Sequence, residues 1–225
     1  MTLKRDNNCS KYCYPNTNVL INKFDIRSLD ELHRIESLIT TYKLSLLELG
    51  KIPFNSTLDI DHYLEIHKFV FGDIYDFAGE IRSEAIYKSN EPYDDSKMPF
   101  CYPEFIYTSL KKLLQQMKNS VHMIKSKEDL LTFISYYYVE INAIHPFREG
   151  NGRVLREFIR EYVIALNKIL PIEPQIINYK NWSSNNHNHL LLETIKSTKT
   201  DDISGLKELF NIVLEPVNNE KNKTA

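Results

Sequence analysis

Glycine is scarce in this chain, and its scarcity limits the folds that the chain can adopt. The 225 residues contain 6 glycines, where an average usage of about 7% would give roughly 16. A chain poor in glycine and rich in Leu, Ile, Lys and Glu favours helices, because glycine destabilises helix interiors. Two of the six glycines, Gly150 and Gly152, are separated by a single residue. We therefore expect the backbone there to have a special task.

The spacing of apolar residues predicts a single all-α domain with one small β-hairpin. Helices are expected at about 29–49, 59–71, 103–119, 126–144, 152–170, 180–197 and 201–214. Ser28 begins a capping-box pattern for the first helix, in which Leu32, Ile35, Leu38 and Ile39 define the apolar face. The hairpin is expected at about 85–102, with its tip at NEPYDD (90–95). The predicted organisation is an N-terminal arm (1–27), a helical domain (28–214) and a disordered tail (215–225).

The composition indicates a soluble, cytoplasmic protein. Because 28 basic residues oppose 30 acidic ones, direct nucleic-acid binding is not expected. The first residues lack the apolar core of a signal peptide, and no run of about 18 apolar residues could span a membrane. We interpret Cys9, Cys13 and Cys101 as free thiols, and a disulfide or metal pair between the first two is the alternative.

The segment 145–156, HPFREGNGRVLR, has features of an anion-binding site. It lies between two predicted helices, so a helix N-terminus with unpaired N–H groups falls near Gly152. Gly150 and Gly152 permit positive φ angles and lack Cβ atoms, which allows backbone amides to approach a phosphate. Arg153 and Arg156 are three positions apart on the first helical turn and would add donors for phosphate oxygens.

The same segment supplies groups for magnesium and proton transfer. Glu149 offers a hard oxygen ligand where Mg²⁺ would bridge phosphates, and His145 can accept a proton near neutral pH. Taken singly, His145 is more often a helix cap, and Glu149 could simply pair with Arg153. Phe147 is interpreted as a packing residue that pins the loop. Together the residues predict a Mg-nucleotide site with a general base.

This segment resembles the defining motif of the Fic (Fido domain) family, HxFx(D/E)GNGRxxR, at every specified position. A second segment, FGDIYDFAGEIR at 71–82, is similar to the family's stretch before its hairpin. The resemblance covers about residues 28–213. It implies a Fic-type helical bundle with a hairpin flap, and transfer of AMP from ATP to a hydroxyl of a target protein with release of pyrophosphate.

The resemblance also implies residue roles. His145 would be the general base and Glu149 the Mg²⁺ ligand. Five residues would bind the nucleotide phosphates: Gly150, Asn151, Gly152, Arg153 and Arg156. Tyr87 and Lys88 are candidates for the edge of the flap that pairs with the target as an added strand. The same hairpin could instead be an ordinary solvent-facing one.

Several alternatives stay open. A Doc-like kinase is disfavoured, because that branch replaces the glycines with alanine and lysine and lacks the last arginine. Transfer of another nucleotide, or an inactive nucleotide-binding module, would also fit the motif. The acceptor would be Tyr, Thr or Ser, and the family suggests toxin-like members that modify topoisomerases. Many members carry an inhibitory (S/T)xxxE(G/N) helix. Here Ser204 and Glu208 match it only in part, which favours inhibition by a separate antitoxin-like protein.

Overall fold

The structure is a computed structural model that describes residues 11–52, 57–89 and 97–217, with no description of the side chains of residues 88, 89 and 97–99. Most of the described chain is helical. The helices are α1 (Leu29–Glu48), α2 (Ile60–Phe71), α3 (Pro103–Ser120), α4 (Lys127–Ile144), α5 (Asn151–Leu166), α6 (Ser184–Thr200) and α7 (Ser204–Val213). The predicted all-α class is confirmed.

Polar caps start the first two helices where the sequence predicts them. The Ser28 hydroxyl accepts the backbone N–H of Glu31 at 3.4 Å, and the Asp59 carboxylate accepts that of His62 at 3.1 Å. Each contact satisfies an N–H group that the first helical turn leaves without a partner. Gly50 follows α1 with φ +62°, a left-handed conformation that terminates the helix at little cost for glycine.

The predicted hairpin is present at its base. Strand β1 (Tyr87–Ser89) runs antiparallel to β2 (Lys97–Pro99). The pairing places Tyr87 opposite Pro99 and Lys88 opposite Met98. The predicted tip at 90–95 lies outside the described residues.

A second strand pair was not predicted. Strand β3 (Gln175–Ile177) pairs antiparallel with β4 (Leu214–Pro216). Residues 215 and 216, expected in a disordered tail, instead complete this pair, because Leu214 is buried opposite the buried Ile177. Two three-residue strands that are far apart in the sequence, with no turn joining them, carry too little pattern to be recognised as a pair. The rest of the tail, residues 218–225, lies outside the described part of the chain, and the limits 1–27 and 28–214 stay predictions.

The chain forms two compact units. The first comprises Met1–Lys112 and Ile144–Glu157. It contains α1, α2, the β1–β2 hairpin and the whole of the segment 145–156. In this unit α1 packs against α2.

The second unit comprises Leu113–Ala143 and Phe158–Ala225. Its core includes Phe210, which is fully buried in α7 and contacts the rings of Tyr138 and Trp182 edge-on and tilted. The Trp182 indole N–H donates to the carbonyl of Leu209 at 2.9 Å, so the one polar atom of that side chain is satisfied.

The buried face of α1 differs from the prediction. Leu38 is 68% exposed, whereas the buried residues of α1 are Leu32, Glu36, Thr40 and Leu47. The four are spaced at i, i+4, i+8 and i+15, which is a helical face. The expected apolar face was wrong at Leu38 because two polar residues take the inward positions.

Two further observations concern the remaining sequence expectations. Cys101 carries a free thiol as interpreted, but Cys13 is disulfide-bonded, so the free-thiol interpretation is wrong for Cys13. Among the described residues, no helix combines the length and the apolarity that crossing a membrane requires.

Candidate functional site

The loop between α4 and α5 has an unusual backbone at both ends. His145 follows α4 with φ +50°, and Gly150 precedes α5 with φ +78°. Glycine tolerates this left-handed region, but for histidine it costs on the order of 1–3 kcal/mol and persists only where surrounding contacts enforce it. The loop is therefore held in a strained shape by the residues around it.

Asn151 holds the interior of this loop. Its side-chain NH₂ donates to the carbonyl of Phe147 at 2.8 Å, and its side-chain oxygen accepts the N–H of Phe147 at the same distance. Asn151 is 5% exposed. The predicted phosphate ligand Asn151 thus uses its amide to close the loop, while its backbone lies at the N-terminus of α5.

Phe147 anchors the loop by packing, as predicted. It is fully buried and stacks on Tyr63 at a centroid distance of 5.6 Å and on His67 at 3.8 Å. Both partners belong to α2, so that helix supplies the platform on which the loop rests.

His67 fixes the loop from α2 with both ring nitrogens. The N–H of Gly79 donates to Nδ1 at 2.7 Å, so the proton resides on Nε2, which donates to the carbonyl of Glu149 at 3.1 Å. Burial is the main cause that lowers the pKa of His67 to about 4, and the nearby Arg153 lowers it further. The ring is therefore neutral near pH 7 and acts as a hydrogen-bonded strut.

Arg153 is engaged by α1. Its Nη2 donates to Glu36 Oε1 at 2.6 Å and its Nη1 to Thr40 Oγ1 at 3.2 Å. The guanidinium also lies over the Phe71 ring, 4.7 Å from the centroid. The other oxygen of Glu36 accepts the hydroxyl of Tyr75. Burial, with the Glu36 charge second, raises the pKa of Tyr75, so this hydroxyl remains a donor.

Glu149 and Arg156 lie around the start of α5. Glu149 Oε1 accepts the N–H of Gly150 at 3.1 Å and is 3.5 Å from Nη2 of Arg153. A Cβ at Gly152 would come within 3.4 Å of Nη1 of Arg156, so that guanidinium reaches back over the first turn. Of the two glycines that could adopt a positive φ, only Gly150 does so. Gly152 lies inside α5, where it contributes the absence of a side chain beneath Arg156.

The hairpin base contacts the histidine ring. Phe100, which directly follows β2, stacks on His145 with centroids 3.8 Å apart and planes at 19°. Tyr87 is 50% exposed on β1, and Lys88 occupies the central register position. The structure thus places the predicted hairpin beside the predicted general base.

Comparison with known proteins places this arrangement in a family. The Fic/DOC family model matches residues 57–163. A protein of Sinorhizobium fredii, named probable protein adenylyltransferase y4lH, is 35% identical over 149 residues, which make up 65% of this chain and 71% of that protein. This chain belongs to the Fic family. The predicted family is confirmed.

Two further similarities concern Bartonella proteins. The chain is 37% identical over 149 residues to protein adenylyltransferase VbhT of Bartonella schoenbuchensis, a match that covers 66% of this chain but 29% of VbhT. The crystal structure of BepC from Bartonella tribocorum with bound AMPPNP matches with a TM-score of 0.75 at 19% identity, over 92% of this chain and 97% of that one. At that identity the match shows a shared Fic fold.

Sequence reasoning brought together the residues of the Fic motif but missed the ones that hold it. Glu36, His67 and Arg82 are all buried and contact the motif from outside it. Glu36 had a detectable signal, because it falls on one helical face with Leu32 and Thr40. Arg82 ends the second family-like segment, whose pattern alone assigns it no role. His67 had no signal beyond its place on an apolar helix.

The Gly150→Ala substitution should destabilise the protein more than substitution of a glycine with similar φ. An added Cβ would lie 2.2 Å from the Phe71 ring, so overpacking of about 1–3 kcal/mol adds to the left-handed strain of about 1–2 kcal/mol. Gly50→Ala is the matched control, because φ is +62° there and nothing lies within 4 Å of the new Cβ. Urea unfolding of both variants measures the difference, and equal losses would refute the predicted contact.

His67 should make stability depend on pH. Its pKa falls from the ordinary 6.5 to about 4 in the folded state, so between these values the unfolded chain binds more protons and protonation favours unfolding. The contribution, about 3 kcal/mol from a shift of this size, is complete above pH 6.5 and is lost as the pH falls toward 4.

Denaturant unfolding at pH 7, 5.5 and 4 measures this effect. The His67→Gln variant should lose less stability than wild type between pH 7 and 4. The exposed His33 offers a control, since His33→Gln should retain the wild-type slope. A wild-type slope in His67→Gln would contradict the assignment.

Proposed function

We propose that this protein is a protein adenylyltransferase that transfers AMP from ATP to a hydroxyl group of a target protein and releases pyrophosphate. One observation carries the proposal. His145 is held in a left-handed conformation at one end of a loop, whose other end is Gly150, followed by Asn151 and Gly152 in the first turn of α5. A group able to accept a proton thus shares one short loop with a helix N-terminus suited to phosphate.

The proposed step balances as follows. The acceptor oxygen attacks the α-phosphorus of ATP, and His145 takes the hydroxyl proton. The bond between the α-phosphorus and its bridging oxygen breaks, and pyrophosphate leaves with the electron pair. The backbone amides at the start of α5, together with Arg156, stabilise negative charge on the phosphates, which is the main means of catalysis in phosphoryl transfer.

The donor set at the loop fits Mg²⁺ held jointly with a nucleotide. Among the described residues, no group of three or more His, Cys, Asp or Glu side chains is placed to hold a metal. Glu149 presents one carboxylate, with its side chain 21% exposed, at this loop. Magnesium is usually bound through one or two carboxylates plus substrate phosphates. Glu149 would therefore hold a Mg²⁺ ion that neutralises phosphate charge.

The relatives support the same reaction. VbhT is named a protein adenylyltransferase and y4lH a probable one, and BepC was crystallised with bound AMPPNP, an ATP analogue. Within the motif, this chain retains Gly150, Gly152 and Arg156, which the Doc-like kinase pattern lacks. The proposal therefore favours nucleotidyl transfer over phosphate transfer, with ATP as the first nucleotide to test.

The proposal also covers partners and location. The acceptor is a Tyr, Thr or Ser hydroxyl, and topoisomerases are the first targets to assay. Tyr87, which is half exposed, and Lys88 would dock the target along the edge of the hairpin. We propose a cytoplasmic location, where ATP is supplied, and inhibition in trans by an antitoxin-like protein.

Loss of the imidazole should abolish transfer and leave nucleotide binding intact. His145→Ala is expected to lower the transfer rate by at least about 100-fold, because general-base catalysis contributes factors of that order. The assay incubates purified protein with Mg²⁺, cell lysate and ATP labelled at either the α- or the γ-phosphate. Label should enter protein from the α-position and not from the γ-position.

The controls separate the alternatives. The exposed His189 provides a matched variant, and His189→Ala should label at the wild-type rate. Label from the γ-position alone would establish a Doc-like kinase. Nucleotide binding without label from either position would favour an inactive binding module.

Glu208 should have no inhibitory effect. Glu208 is exposed on α7. The next residue is Leu209, where the inhibitory pattern has Gly or Asn, and its side chain is buried in the second unit. Because α7 serves to pack the core of the second unit, Glu208→Gly is expected to leave the transfer rate within about twofold of wild type, as for other exposed surface substitutions.

The measurement is the initial rate of α-label incorporation at equal protein concentration. Glu193→Gly is unsuitable as a control because the Glu193 side chain crowds Gly205. The exposed Glu104 at the start of α3 serves better, as Glu104→Gln. A rate increase specific to Glu208→Gly would show inhibition in cis and refute inhibition in trans.

A further inference from the structure

Arg82 is a fully buried arginine whose hydrogen-bond partners are backbone carbonyls. It is 1% exposed. Nε donates to the carbonyl of His145 at 2.8 Å, and Nη2 donates to that of Ile144 at 3.4 Å. The backbone N–H of Arg82 also donates to the carbonyl of Pro146 at 2.9 Å. Arg82 therefore contacts three consecutive residues at the turn that carries the proposed general base.

The same guanidinium holds both ends of the hairpin. Nη1 donates to the carbonyl of Glu84 at 2.6 Å, ahead of β1, and Nη2 donates to that of Cys101 at 2.5 Å, after β2. Phe100, next to Cys101, is the residue that stacks on the His145 ring. One side chain thus links both ends of the hairpin to His145.

The physical chemistry explains why arginine occupies this position. Ile144 ends α4, so its carbonyl carries part of the negative end of the helix dipole, which a cation stabilises. Burial lowers the pKa of Arg82 to about 10, which leaves it charged at neutral pH. Only a planar guanidinium presents donors in several fixed directions, whereas a lysine offers one nitrogen on a flexible chain.

We propose that Arg82 is a positioning residue that fixes the left-handed backbone of His145 and aligns the hairpin base with its imidazole. The effect of Arg82 on catalysis rests on the proposed function. Its effect on the backbone of His145 and on the hairpin base does not, because these contacts are present in the protein without nucleotide. Arg82 has no role in the transfer step itself, since its donors are committed to backbone carbonyls.

The test is Arg82→Lys, which keeps the charge but not the fork of donors. The His145 ring protons in wild type should show a ring-current shift from Phe100, which NMR detects in the absence of nucleotide. In Arg82→Lys this shift should collapse toward the value of an exposed histidine. The kcat for transfer should fall about 100-fold, as expected for a catalytic group misplaced by about 1 Å, while the Kd for AMPPNP stays within about threefold.

Two control variants separate positioning from loss of stability. Arg27→Lys makes the same exchange at an exposed arginine paired with Asp25, and should change neither the ring shift nor kcat. Leu206→Ala removes a fully buried side chain from the second unit, which lowers stability, and should leave the ring shift of the folded protein unchanged. A wild-type ring shift in Arg82→Lys would overturn the proposal, as would a kcat loss no larger than that of Leu206→Ala.

The outcome stays decisive if transfer is absent or the variant does not fold. If wild type transfers nothing, the proposed function fails, but the ring shift still decides the role of Arg82. If Arg82→Lys does not fold, hydrogen exchange of the wild-type guanidinium provides the measurement. The Arg82 Nε–H should exchange at least about tenfold more slowly than that of Arg27, as expected for a buried hydrogen bond. Equal exchange rates would overturn the proposal.

Discussion

The site depends on one constraint. Six residues must connect α4 to α5, and the backbone N–H and C=O groups of this loop must still find hydrogen-bond partners. A backbone that turns so tightly has donors and acceptors that neither helix can satisfy. Here buried side chains satisfy them, two from outside the loop and one from its own segment. Arg82 takes the carbonyl of His145, His67 takes that of Glu149, and Asn151 closes on Phe147 from within. The shape of the loop therefore depends on distant residues as well as on its own sequence.

The second demand on the fold is electrostatic. Glu36 and Arg153 are a poorly exposed ion pair, with side chains 9% and 23% accessible, and desolvation of such a pair offsets much of its attraction. The arrangement is tolerated because each oxygen of Glu36 receives a donor, one from Arg153 and one from Tyr75. The pair also links α1 to the first turn of α5 within the first unit. The ion pair thus contributes more to the geometry of the site than to the net stability of the fold.

Sequence reasoning succeeded where one local pattern determines one local structure. Ser28 and Asp59 begin helices because each side chain can accept the backbone N–H of the residue three positions later. Phe147 packs inward because a large apolar side chain is more stable away from water. It failed where distant residues determine the outcome. That Glu36 rather than Leu38 faces inward depends on Arg153, more than 100 positions along the chain. The β3–β4 pair depends on strands 36 residues or more apart, each of three residues.

Some residues of the loop maintain its structure and others would take part in the reaction, and this difference bears on whether the protein is active. Phe147, Gly150 and Asn151 are needed for the loop to exist, so a nucleotide-binding module without activity would keep them. His145 differs. Its contact with Phe100 would suit any aromatic ring, and glycine would meet its φ of +50° without strain. Glycine would lose the ring contact with Phe100, and another aromatic residue would meet the same backbone strain, but neither of these two demands requires a group that accepts a proton. The property that distinguishes the imidazole from those alternatives is its ability to accept a proton near neutral pH, which is the property that transfer to a hydroxyl requires.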